Sequence, residues 1–278
     1  MLSEGSAKII RIIAALLSAA VFLSGCAGEV PVTESVRFAL FGNTAPASPF
    51  SGFTPSLDSV ISSIESEKPA VIIHTGDAIY GGSESDGINE RDVRRQYKIF
   101  FSAMKNFHYA CYSVPGDRDL FNGSSSLYTE YSGRGTRYSF NYGSMHFIAL
   151  DTSIPGDNFV DAEQMKWLRR DLETFSGSNA VFVLMHRPFL STGKKGIVYP
   201  VPEELHKLFV RFRVKAVFSG GDKSYSSSVY DSIRYIEAGC SGFTDERENR
   251  RTNQYYIVNY ASGVFDIKPG RTDITKKR

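Results

Sequence analysis

Five short apolar runs, at 36–41, 70–74, 109–114, 180–185 and 215–219, constrain this chain more than any other feature. Each is rich in β-branched or aromatic residues and ends in Gly, Pro or polar residues, the pattern of a buried strand that delivers a loop. Helical patterns lie between them. Segment 56–67 carries Leu57, Val60, Ile61 and Ile64 at helical spacing, and 91–107 and 161–175 show similar faces. Later segments, 137–150, 227–238 and 254–268, read as hairpins and meanders. Without an internal repeat or linker, this order predicts an α/β fold, a single domain of packed sheets flanked by helices. A site is expected where loops leave the carboxyl ends of the strands.

The 278 residues suffice for an ample core. Thirty-two Lys and Arg against 30 Asp and Glu give a net charge of +2, too balanced for the basic face that nucleic acid requires. The amino terminus stands apart. Lys8 and Arg11 precede an uncharged apolar run at 12–23, too short to span a bilayer as a helix but suited to the core of a secretory signal. It ends in "LSGC", which resembles the lipobox of bacterial lipoproteins. That resemblance implies a signal at 1–25, a lipidated Cys26 that joins the protein to a membrane, a tether at 26–35 and a place in the bacterial cell envelope. A domain at 36–268 and a basic, solvated tail at 269–278 complete the organisation. Cys111 and Cys240 remain, either as a bridge in an exported protein or as buried thiols.

The loops after the strand-like runs are "LFGNTAP", "HTGDAIYGG", "VPGDRDL", "LMHRPF" and "FSGGDKSY". Together with "YSFNYGSMHFIALDTS" (138–153), "DAEQMKWLRRDLE" (161–173) and the closing "YYIVNY", their order resembles the calcineurin-like metallophosphoesterase family, especially its purple-acid-phosphatase-like branch. The resemblance spans about residues 36–268 and implies a sandwich of two mixed β-sheets flanked by helices. It also implies a phosphoric ester hydrolase in which two bridged metal ions, held by Asp, Asn and His, clamp the ester and activate a water.

Carried over by position, much of that ligand set is replaced. Asn43 stands for an aspartate and Ala45 for a histidine or its equivalent; Asp77 keeps the bridging position. Asp117 replaces an asparagine ligand, Arg118 replaces the histidine that protonates the leaving group, and Asp119 and His186 are retained. Gly221 and Lys223 occupy two histidine positions. Of five histidines, at 74, 108, 146, 186 and 206, only His74 and His186 fall at strand ends on the presumed rim. His108, His146 and His206 read as surface or satisfied core residues. Lys223, if turned inward, would pair with Asp77 where a metal would lie, and Arg118 beside it would bind a phosphate or carboxylate.

Short polar residues after Gly, such as Asn43, Asp77, Asp117 and Asp222, also serve simply as turn and cap residues. Three functions stay open at this stage. One is a pseudoenzyme without metal that binds an anionic ligand or partner through Arg118 and Lys223. Another is a reduced hydrolase that holds one divalent ion (Mn, Fe or Zn) on Asp77, Asp117 and His186, with Asn43 as a weak fourth ligand. The third is a structural lipoprotein.

Overall fold

The computed structural model describes residues 35–51, 55–153, 160–188, 202–220, 225–239, 241, 244–245, 250–251 and 254–272. The expected signal, Cys26, Gly221, Asp222, Lys223, Cys240 and the end of the expected tail lie outside them. Strand and helix alternate as the apolar runs require. β1 (Ser35–Phe41), α1 (Pro55–Ser66), β2 (Val71–His74), α2 (Glu90–Met104), β3 (Ala110–Ser113) and α3 (Ser126–Ser132) come first. β4 (Tyr138–Tyr142), β5 (Met145–Ala149), α4 (Ala162–Thr174), β6 (Ala180–Leu184), α5 (Glu203–Arg211) and β7 (Ala216–Ser219) follow. The chain closes with β8 (Tyr225–Tyr230), β9 (Ile233–Ala238), β10 (Thr244–Asp245), β11 (Arg250–Arg251), β12 (Gln254–Ala261) and β13 (Val264–Arg271).

One sheet has the order β13-β12-β1-β2-β3, another the order β4-β5-β6-β7-β9-β8, and β10 pairs with β11. In the first sheet β1, β2 and β3 run parallel, with β12 antiparallel to β1. In the second, β5, β6, β7 and β9 run parallel between the antiparallel edges β4 and β8. Both sheets are therefore mixed. The period-2 pleat explains how they stack. Along β1, Val36, Phe38 and Leu40 point between the sheets, whereas Ala39 and Phe41 face α1 and α2. Along β6, Ala180, Phe182 and Leu184 join the same inter-sheet core, and Val181 and Val183 face α4 and α5. Strands buried on both faces read as unbroken apolar runs, and that is why the sequence reveals them.

Phe38 fills the centre of the sandwich, edge-on to Phe147 at 5.8 Å and to Phe218 at 5.2 Å between ring centroids. Helix starts follow local chemistry. Asn89 caps α2 by accepting from Asp92 N, and Asp161 caps α4 by accepting from Gln164 N at 2.6 Å. Gln164 then uses its amide on both backbone groups of Asp151, fixing the loop after β5.

Several boundaries move. The helix expected over 91–107 spans Glu90–Met104, because Asn89 sets its start and Phe107 turns back into the core. β13 continues to Arg271, so residues 269–271 pair with β12 and the basic tail begins later than 269. Cys111 carries a free thiol in β3, and burial pushes its pKa up to about 12. All described residues belong to one compact unit.

Candidate metal centre

The carboxyl ends of β1, β2 and β6 bring their loops together, and the loop after β3 joins them. Thr75 N donates to Phe41 O, Asn43 N to Gly76 O and Ala45 N to Asp77 O, which zips the β1 loop to the β2 loop. Asn43 and Asp77 both adopt left-handed backbone, at φ 50° and φ 56°. Asn and Asp tolerate this conformation better than other non-glycine residues, and such outliers gather at functional sites. Three glycines allow the close approach. A Cβ on Gly76, itself at φ +95°, would meet His186 Nδ1 at 2.5 Å and Gly116 N at 2.8 Å. One on Gly116 would collide with the Asp77 carboxylate, and one on Gly220 would press on Thr75 O at 2.6 Å.

Asp77, Asp117 and His186 meet at this convergence, each offering one donor atom, all within 4.8 Å of one another. His186 Nε2 lies 3.1 Å from Asp117 Oδ1 and 3.4 Å from Asp77 Oδ1. Its other nitrogen is committed: Nδ1–H donates to Thr75 O at 2.7 Å, since a carbonyl can only accept. The ring is thereby oriented with Nε2 toward the carboxylates, as outer partners orient metal-binding imidazoles. Thr152 Oγ1 holds the loop from behind by accepting from His186 N and Arg187 N. Asp119 is fully buried and accepts from Ala78 N, Ile79 N and Gly116 N at 2.8–3.2 Å, tying the two aspartate loops together.

Charge accumulates accordingly. Burial opposes a charged His186, but Asp77, the Asp117 hydrogen bond and the Thr75 carbonyl outweigh it and raise the imidazole to about 9. Burial raises Asp77, although His186 draws it down; the hydrogen bond from His186 lowers the half-exposed Asp117. Burial pushes Asp119 up to about 7, and the Asp77 charge adds to the effect. Asp77, Asp117 and His186 fit one divalent ion: two hard oxygens and an oriented nitrogen converge, and metal binding would displace the His186 proton.

The other half of the site differs. Ala45 is buried and offers a methyl group, and Asn43 is buried in the same loop. Besides the charged His186, Arg118 lies against Asp77, with Nε 3.6 Å from Oδ2 and the backbone N–H 3.2 Å from Oδ1. Its guanidinium also sits over the Tyr80 ring at 5.6 Å. The expected Lys223 pair with Asp77 falls outside the described residues.

His74 is not on the rim, contrary to the expectation from its strand-end position. It is fully buried between Phe41 and Phe100, and burial depresses its pKa to about 3. The parity of β2 carries the reason, because His74 shares the helix-facing side with Ile72. The remaining histidines are satisfied as expected: His108 pairs with Glu65, His146 bonds to Asn141 and Asp171, and His206 bonds to Tyr235 and Asp231. Sequence reasoning missed Thr75 and Thr152, whose contributions come through a backbone carbonyl and a loop-holding hydroxyl and leave no motif.

The sequence profile described as calcineurin-like phosphoesterase matches residues 51–224. The chain belongs to the calcineurin-like phosphoesterase family. Solved structures agree at the level of the fold. A dimetal phosphatase from Danio rerio superimposes with a TM-score of 0.63 at 12% identity, covering 86% of this chain and 99% of that one. A purple acid phosphatase from yellow lupin seeds (Lupinus luteus) gives 0.64 at 14% identity, covering 86% of this chain and 52% of that one. GAP50, described as the anchor in the inner membrane complex of Plasmodium, gives 0.58 at 17% identity, covering 88% and 90%. No curated protein matches by sequence. Within this calcineurin-like phosphoesterase, Asp77, Asp117 and His186 are the groups the fold brings together that could hold a metal ion.

Proposed function

We propose that this protein is a catalytically impaired calcineurin-like phosphoesterase, tethered to a bacterial envelope through Cys26, that binds an anionic ligand at the rim around Arg118. The observation that carries this reading is Arg118 against Asp77, in the position where the family resemblance places the general acid. A guanidinium stays charged at all physiological pH, so it cannot deliver a proton to a leaving group. It can hold phosphate or carboxylate oxygens through parallel N–H donors. The β1 half, with Asn43 and Ala45, lacks the anionic and imidazole ligands a second ion needs.

A second reading rests on the Asp77, Asp117 and His186 cluster: a hydrolase with one divalent ion. An ion held there would supply Lewis-acid polarisation of a phosphoryl oxygen and a more acidic water. The chain's own part is to orient His186 through Thr75 O, and to bind the ester oxygens through Arg118.

Elemental analysis of the full chain equilibrated with manganese, iron and zinc decides between them. Less than about a tenth of an equivalent, unchanged in Asp77→Ala, leaves the metal-free binding protein. One ion per chain, lost in both Asp77→Ala and His186→Ala, selects the single-ion hydrolase, and turnover of phosphomonoesters and phosphodiesters then measures its competence. Two ions per chain would sink both readings.

A further inference from the structure

His74 is a buried, titratable group that neither functional reading uses, and both of its nitrogens are engaged. Nδ1 lies 3.3 Å from Gly76 N, which can only donate, so Nδ1 is the acceptor. The ring proton therefore belongs on Nε2, 3.0 Å from Thr44 Oγ1. Thr44, accepting the hydrogen bond from Nε2–H, donates its own hydroxyl proton to Ala78 O at 3.5 Å. The imidazole plane is wedged between Phe41, at 4.8 Å, and Phe100, at 5.0 Å between centroids. One ring thus touches the β1 loop through Thr44 and the β2 loop through Gly76, on either side of the left-handed Gly76 and Asp77.

We infer that His74 is a positioning residue: as a neutral imidazole protonated on Nε2, it latches the β1 loop to the β2 loop and fixes the left-handed turn that presents Asp77. Left-handed backbone at a non-glycine residue persists only where its surroundings over-determine it. The two backbone bonds from Asn43 and Ala45 supply part of that restraint, and the imidazole adds a third tie from below. Either nitrogen alone would hold one loop; the ring holds both at once. The inference goes beyond the proposed function, and the turn is the same whether Asp77 meets Arg118 or an ion.

The test combines a metal-free readout with a metal readout on the full chain. In 15N-histidine-labelled protein at neutral pH, His74 is expected to show a bare Nδ1 and a protonated Nε2. His74→Phe keeps an aromatic ring between Phe41 and Phe100 but removes both nitrogens; exchange of the Gly76 amide should rise about tenfold, with Val183 and Val217 unchanged. His74→Asn, whose Oδ1 stands where Nδ1 stood, should restore Gly76 protection. Affinity for Mn2+ alone should fall about tenfold or more in His74→Phe and recover in His74→Asn. A proton on Nδ1 in the wild type, unchanged Gly76 exchange in His74→Phe, or loosening of all amides without rescue by His74→Asn would overturn the latch. If His74→Phe does not fold, the wild-type tautomer and Thr44→Val, expected to loosen Gly76 through loss of the Nε2 partner, decide instead. A wild type that binds no Mn2+ would remove the single-ion hydrolase and leave the latch to be judged on the tautomer and exchange results.

Discussion

His74 and His186 both close apolar strands, yet their surroundings push them in opposite directions. His186 faces two carboxylates and is held charged; His74 faces two aromatic rings, and burial, with the His186 charge adding to it, disfavours a proton there. For His74 the consequence is acid sensitivity. The unfolded imidazole binds a proton near its ordinary 6.5 and the folded one only near 3, so between these values the unfolded chain holds one more proton. Stability is then lost as pH falls through 6.5, by about 1.4 kcal/mol per pH unit from this residue. Urea titrations between pH 6.5 and 4 should show a shallower slope in His74→Phe; an unaltered slope would mean that His74 is charged in the native protein. Arg118 permits a second test. Arg118→Ala should weaken binding of inorganic phosphate about tenfold by calorimetry, with Arg118→Lys recovering only part because an ammonium lacks the planar fork. Equal phosphate affinity in all three proteins would remove Arg118 from the ligand site.

At the scale of elements, the period of the apolar pattern was the legible signal. β1, β2, β6 and β7 stood out because both faces are buried, and α1, α2 and α4 because one face is. The seven-residue α3 was not legible. It is short and Ser-bounded, and is stabilised by burying Leu127 and Tyr128 rather than by propensity. The polar segment 81–92 is pinned to the loop after β3: Gly82 bridges to Phe121, and Glu84 N donates to Asn122 Oδ1 at 3.0 Å. Burial on both faces also makes the central strands sensitive to truncation. Phe182 meets Phe38 across the sandwich and packs beside Phe147 and Phe218 of its own sheet. Phe182→Ala should cost about 3–5 kcal/mol in urea denaturation. A loss under about 1 kcal/mol would show that the inter-sheet core collapses around the gap.

For the whole molecule, lipid anchoring through Cys26 is the proposal with the simplest readout. In a bacterial host the wild type should fractionate with membranes and incorporate labelled palmitate, and Cys26→Ala should lose both; membrane attachment unchanged in Cys26→Ala would refute the anchor. Sequence alone determined the alternation of strand and helix, the family and the identity of each residue at a ligand position, because these depend on local periodicity and on loop order along the chain. It also set Asn43 and Ala45 at positions where the resemblance expects an aspartate and a histidine, a comparison that needs no coordinates. Only the tertiary structure decided which residues meet. Strand parity sends His74 into the helix-facing core, loop packing through Gly76, Gly116 and Gly220 joins Asp77 and Asp117 to His186, and Arg118 comes to lie beside Asp77. Those outcomes depend on contacts between segments far apart in sequence, which the pleat and the stacking of the two sheets fix in space.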